Sequence, residues 1–152
     1  MSKRLLQTIF ALALVGLLVG AAMAAAQGRR NEFRATMTGG AEKPQKGPAS
    51  ARGTFTVEFR NGQACYRMSV RGLGARPMAA HIHRGGRTVS GPIVIDLRPT
   101  FRGTSPRVSA KCVPARASIV SAIRRNPGGY YANVHTSKNP AGAARGQLRA
   151  DN

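Results

Sequence analysis

The sequence predicts an all-β domain, an antiparallel β-sandwich or Greek-key barrel with one short helix. Apolar residues recur at every second position in several short runs, as in Phe33-Ala35-Met37, Phe55-Val57-Phe59 and Ala64-Tyr66-Met68-Val70. That is the period of a strand with one buried face. Glycine, proline and asparagine separate these runs at short intervals, the spacing of many strands folding back on one another. Only one segment has helical spacing instead.

In chain order, Glu32 to Thr38 reads as the first strand, and the glycine- and proline-rich Gly39 to Ser50 as a loop. Ala51 to Phe59 and Gln63 to Arg71 read as two strands joined by Asn61-Gly62, a pair that tolerates the positive φ of a tight hairpin. The second puts Ala64, Tyr66, Met68 and Val70 on one face and Cys65 on the other. Met78 to His83 and Ile93 to Leu97 are short strands separated by Gly85-Gly86 and Ser90-Gly91-Pro92. Arg98 to Ser109 reads as a long basic loop and Lys111 to Val113 as a brief strand. Pro114 to Asn126 is the helix: proline suits a first helical position, Ile119, Val120 and Ile123 share a face, and Pro127-Gly128-Gly129 ends it. Tyr130 to Thr136 and Ala144 to Ala150 close the domain as strands.

The start of the chain has the layout of a secretory signal peptide: Lys3-Arg4, an apolar run from Leu5 to Gly20, then small residues ending in Ala24-Ala25-Ala26. An uncleaved anchor is the rival reading, although the run is short for a bilayer span. Cleavage after Ala26 makes residues 27–152 one exported domain with no remaining membrane span. The full chain carries 24 basic residues against 5 acidic ones, a formal charge of +19, and arginine dominates. Such a balance attracts polyanions. The arginines are dispersed rather than massed beside aromatics, so no specific nucleic-acid partner is expected. An acidic polymer or protein of the cell envelope is the partner class that remains. The two cysteines, Cys65 and Cys112, are most simply a disulfide in an oxidising compartment, two buried thiols being the alternative.

Three histidines are the only ones in the chain: His81 and His83 in one predicted strand and His135 in another. Residues two apart on a strand share a face. With Ala80, Ile82, Ala132 and Val134 directed to the core, all three imidazoles face outward, and they converge if the two strands are neighbours. Three imidazole nitrogens suit a divalent metal such as copper or zinc, without fixing which. Outward histidines that merely brace the sheet are the competing reading. Strand parity also brings Asn133 and Arg145 to this face, where they could orient an imidazole or meet a bound anion. No acid stands beside a histidine in sequence, and no metalloprotease, phosphate-loop or dinucleotide motif is present. A non-enzymatic binding protein is therefore expected, and no catalytic residue is assigned.

Several of these stretches together resemble a known family. They are Ala79-Ala80-His81-Ile82-His83-Arg84-Gly85, Gly91-Pro92-Ile93-Val94, Tyr131-Ala132-Asn133-Val134-His135-Thr136 and Asn139-Pro140-Ala141-Gly142-Ala143-Ala144-Arg145-Gly146-Gln147-Leu148. They resemble the CHRD domain, found as repeats in chordin and as single-domain exported bacterial proteins. Phe33 to Pro44 resembles the family's opening segment, and Ala144 departs from the larger aliphatic residue common before the arginine. The resemblance implies an all-β sandwich and an extracytoplasmic location. Chordin's antagonism of bone morphogenetic proteins does not carry over to a lone exported domain. The histidine strand is also faintly similar to the copper-site strand of Cu/Zn superoxide dismutases, but three histidines are too few ligands for that chemistry.

Overall fold

Alternating runs become strands because their apolar side chains have one common core to enter. The structure, a computed structural model, describes residues 31–151; the predicted leader and its cleavage site lie outside the described residues. The strands are β1 (Glu32–Thr38), β2 (Arg52–Arg60), β3 (Gln63–Arg71), β4 (Pro77–Arg84), β5 (Ile93–Asp96), β6 (Arg107–Pro114), β7 (Tyr130–Thr136), β8 (Ala144–Gln147) and β9 (Arg149–Ala150). One helix, α1 (Ala117–Arg125), lies between β6 and β7. The strands form one antiparallel, nearly closed sheet in the order β5-β4-β7-β8-β1-β2-β3-β6, with β9 also pairing β1. This is the all-β, one-helix architecture expected. No helix among the described residues is long and apolar enough to cross a membrane.

The core follows strand parity. Phe33, Ala35 and Met37 of β1, Phe55, Val57 and Phe59 of β2, and Ala64, Tyr66, Met68 and Val70 of β3 are all buried. Ala80 and Ile82 of β4 and Ala132 and Val134 of β7 join them, each 0 % exposed. Val120 and Ile123 of α1 enter the same core. The β2–β3 turn is the predicted Asn61-Gly62, with φ of +50° and +71°, the left-handed values such a hairpin requires.

Several strand ends shift by one residue, and three differences from the sequence reading are larger. β6 starts at Arg107, within the segment read as loop, and spans eight residues. It is an edge strand whose first residues are mostly exposed, and its register on β3 slips between Tyr66 and Met68, so no alternation marks it. Pro114 ends β6 rather than starting the helix, which begins at Ala117. The last predicted strand is split into β8 and β9 at Leu148, whose amide donates to the Tyr130 carbonyl.

Cys65 and Cys112 are directly opposite on β3 and β6 and form a disulfide, Cα–Cα 4.0 Å. The bond ties an edge strand to the sheet across 47 positions of sequence. A closed loop of that length is worth about 4 kcal/mol on the loop-entropy account. The Cys65→Ala/Cys112→Ala protein is expected to lose about 2–4 kcal/mol of stability in urea unfolding.

Candidate metal centre

β4 and β7 are antiparallel neighbours, and their register places Ala79 opposite His135, His81 opposite Asn133 and His83 opposite Tyr131. Because Ala80, Ile82, Ala132 and Val134 fill the core, the residues between them face outward, and the three imidazoles converge there. His81 and His135 have ring centroids 4.8 Å apart, His81 and His83 5.6 Å, and His83 and His135 6.0 Å. One nitrogen from each ring lies within 4.8 Å of the others.

Hydrogen bonding fixes the tautomers of two rings. His83 Nδ1 lies 2.8 Å from the Gly91 carbonyl and His135 Nδ1 2.8 Å from the Pro140 carbonyl. A carbonyl only accepts, so both Nδ1 atoms carry the proton and both Nε2 atoms present a lone pair. His81 Nδ1 is 3.0 Å from His135 Nε2, and because that Nε2 offers a lone pair, His81 Nδ1 donates to it. His81 Nε2 is 3.8 Å from Asp96 Oδ1, too long for a hydrogen bond. A metal on His81 Nδ1 would displace this proton to Nε2, on the side of Asp96, and three nitrogens would then face one ion.

The surroundings keep the imidazoles neutral. Burial pushes His81 down to about 4, helped by the neighbouring His135 and His83 and opposed by Asp96. Burial lowers His83 against the Gly91 hydrogen bond, and lowers His135 against the Pro140 hydrogen bond. Neutral imidazole is the form that binds a metal. His83 Nε2 is buried and has no hydrogen-bond partner; neither has the Oδ1 of Asn133, on the same sheet face. A buried polar atom left unpaired costs about 1–3 kcal/mol; the Asn133 side chain lies within hydrogen-bonding reach of His83, so its amide NH2 or a cation can satisfy this Nε2.

The outer face is not open to solvent as simple parity suggests. The loop 85–92 folds back over it, burying Tyr131, Asn133 and Arg145 to 2 %, 1 % and 1 % exposure. Gly91 sits so close to the Arg84 carbonyl that a Cβ there would collide with it. Arg145 is a strut for this loop rather than a surface charge. Its Nη1 donates to the Val89 carbonyl at 2.8 Å, and its Nη2 donates to the Gly86 carbonyl at 2.6 Å and to Gln147 Oε1 at 3.1 Å. Its guanidinium lies 3.4 Å over the Tyr131 ring, and the other neighbour of that ring is His83, stacked at 4.8 Å and 7°. Gln147 Nε2 donates to the Gly85 carbonyl at 2.9 Å, and the Gly91 amide donates to the Tyr131 hydroxyl at 3.2 Å. Of the two supporting residues expected from parity, Asn133 lies among the histidines. Arg145 touches no imidazole and acts on His83 through Tyr131 and the loop.

Three contributors were not foreseen: Asp96, and the carbonyls of Gly91 and Pro140. Asp96 reaches the site because β5 pairs β4 with Asp96 opposite His81; no sequence spacing announces that register.

A further buried acid stands beside this framework. Glu42 is 1 % exposed, with Oε1 unpartnered. Burial raises its carboxyl to about 7, against the pull of Arg145 and the Lys43 amide. From about pH 4.5 to 7 the folded state therefore keeps a proton that the unfolded chain releases, and stability falls as pH rises. Glu42→Gln removes this loss. Relative to the parent, the variant is expected to gain up to about 3 kcal/mol between about pH 5 and pH 8, measured by urea unfolding.

The fold and site define a small antiparallel barrel that carries three convergent histidines on its outer face beneath a pinned loop. A family profile described as the CHRD domain matches residues 33–148, and the chain belongs to that family. A search of curated proteins returns no match. Membership fits a binding module, and the disulfide fits an extracellular setting.

Proposed function

We propose that the protein is an exported CHRD-domain binding protein that holds one divalent metal, copper or zinc, on His81, His83 and His135. The observation that carries this reading is the buried, unpartnered Nε2 of His83, aligned by the Gly91 carbonyl toward the other two rings. Zn–N bonds of about 2.0–2.1 Å place two nitrogens of a tetrahedral ion about 3.3 Å apart. The His81–His135 pair, at 3.0 Å, is already near that spacing once the proton between them is displaced, and His83, whose nitrogen lies within 4.8 Å of theirs, would close in to complete the set. Three protein ligands leave a position for water or a ligand atom. Calorimetric titration with copper and with zinc tests the reading. It predicts one saturable site that is lost in His135→Ala; equal binding by that variant refutes it.

A second reading, docking to an acidic envelope polymer, is favoured by arginine rows on another face of the barrel.

A further inference from the structure

The outer face of β1, β2, β3 and β6 is separated from the histidine strands by β8 on one side. Its register forms rows across the sheet: Arg34, Thr56 and Arg67; Thr36, Thr54, Ser69 and Arg107; Thr38, Arg52 and Arg71. Arg52 and Arg71 are directly opposite; the Arg52 guanidinium turns to the Ala49 and Ala51 carbonyls, to which its Nη1 donates at 2.8 and 2.7 Å, and Arg71 is left exposed. Of the protein's five acids, Glu42 is buried, Asp96 faces His81 and Asp151 pairs Arg34 at 2.6 Å. Glu32 and Glu58 lie opposite each other in the row beyond Arg34 and Thr56, at the end away from Arg52 and Arg71. Arg67, Arg71 and Arg107 are exposed and form no ion pair with any described residue.

Two shallow depressions of about 400 and 290 Å³ lie along these rows and share Thr54 and Ser69. The trough is thus floored by hydroxyls and flanked by guanidinium groups. No aromatic side chain points outward among these rows, so bases have nothing to stack on. Among the described residues the exposed large apolar ones are Met78, Val89 and Ile93, all outside these strands' rows, so the face has nothing to insert into a lipid surface.

We propose that this face binds an acidic polysaccharide, with Arg67, Arg71 and Arg107 pairing its carboxylate or sulfate groups and Thr36, Thr54, Thr56 and Ser69 bonding its hydroxyls. Guanidinium groups pair such anions bidentately. The proposal rests on the polymer-docking reading and is independent of the metal.

The test is binding of the purified protein to a heparin octasaccharide and to an oligogalacturonate, with neutral dextran as control. Both acidic probes are expected to bind with an affinity that falls as salt rises, and to shift the backbone amide resonances of β2, β3 and β6. Arg67→Ser/Arg71→Ser/Arg107→Ser is expected to weaken binding about tenfold or more with its thermal midpoint retained. Removing the same charge elsewhere, as Arg84→Ser/Arg124→Ser/Arg125→Ser, is expected to change affinity less than about twofold. Equal losses in the two variants overturn the proposal, as does binding to anionic lipid vesicles or single-stranded DNA through these arginines without oligosaccharide binding. A His135→Ala protein that loses metal but keeps the oligosaccharide separates the two readings.

Discussion

Replacing Arg145 by methionine is expected to cost about 3–5 kcal/mol of stability, the range for removing one partner from a buried charged network. Methionine fills much of the space, so the loss comes from the bonds rather than from a cavity. The carbonyls of Gly86 and Val89 and Oε1 of Gln147 lose their donor, and Tyr131 loses the cation over its ring. The loop 85–92 then keeps its side-chain bonds to Gln147, Tyr131 and His83 and the backbone bonds at its two ends, from the Gly85 amide to the Gly129 carbonyl and from the Arg84 amide to the Pro92 carbonyl. Urea unfolding measures the global loss. Amide exchange gives the local signature, with Val89 and Gly91 exchanging faster than core amides such as Ile82. A loss below about 1 kcal/mol would mean that the guanidinium is dispensable to the loop.

His83→Ala is expected to weaken metal binding more than about a hundredfold, since it removes a ligand rather than a supporting contact. Its Nε2 is the nitrogen with no other partner, whereas His81 and His135 already face each other at 3.0 Å. Asp96→Asn tests the supporting contact. It removes the carboxylate beside His81 Nε2, the atom that would take the proton when a metal binds Nδ1, and its expected effect is about tenfold. Metal competition titrations at neutral pH order the three proteins. Equal affinities in His83→Ala and the parent would exclude His83 from the site.

The sequence told much about the barrel and less about its outer surface. β1 and β3 have the expected bounds because their apolar inward residues alternate with exposed or half-exposed ones without interruption; β7 has them too, bounded by Pro127-Gly128-Gly129 and Lys138-Asn139-Pro140, although it is buried on both faces. β6 does not, because an edge strand with exposed residues and a slipped register has no periodic signal. The convergence of the histidines followed from parity, once β4 and β7 were taken as neighbours. What parity could not give was the covering loop. Its hold depends on Arg145 reaching carbonyls 56 and 59 positions away, and a sequence does not display which backbone a long side chain will find. Arg145 read as a support for an imidazole or a bound anion, or as a surface arginine on a loop carbonyl; it does meet loop carbonyls, but as one of the most buried residues. Asp96 was hidden because its neighbourhood with His81 depends on the register of β5 against β4.

Metal content tests the central claim most directly. Untagged protein purified from its native compartment and dialysed against metal-free buffer is subjected to elemental analysis, beside the His81→Ala/His83→Ala/His135→Ala protein. The account predicts about one copper or zinc per parent chain and almost none in the variant, as three imidazole ligands on one ion require. A folded parent with no bound metal, or a variant that retains as much as the parent, would contradict it.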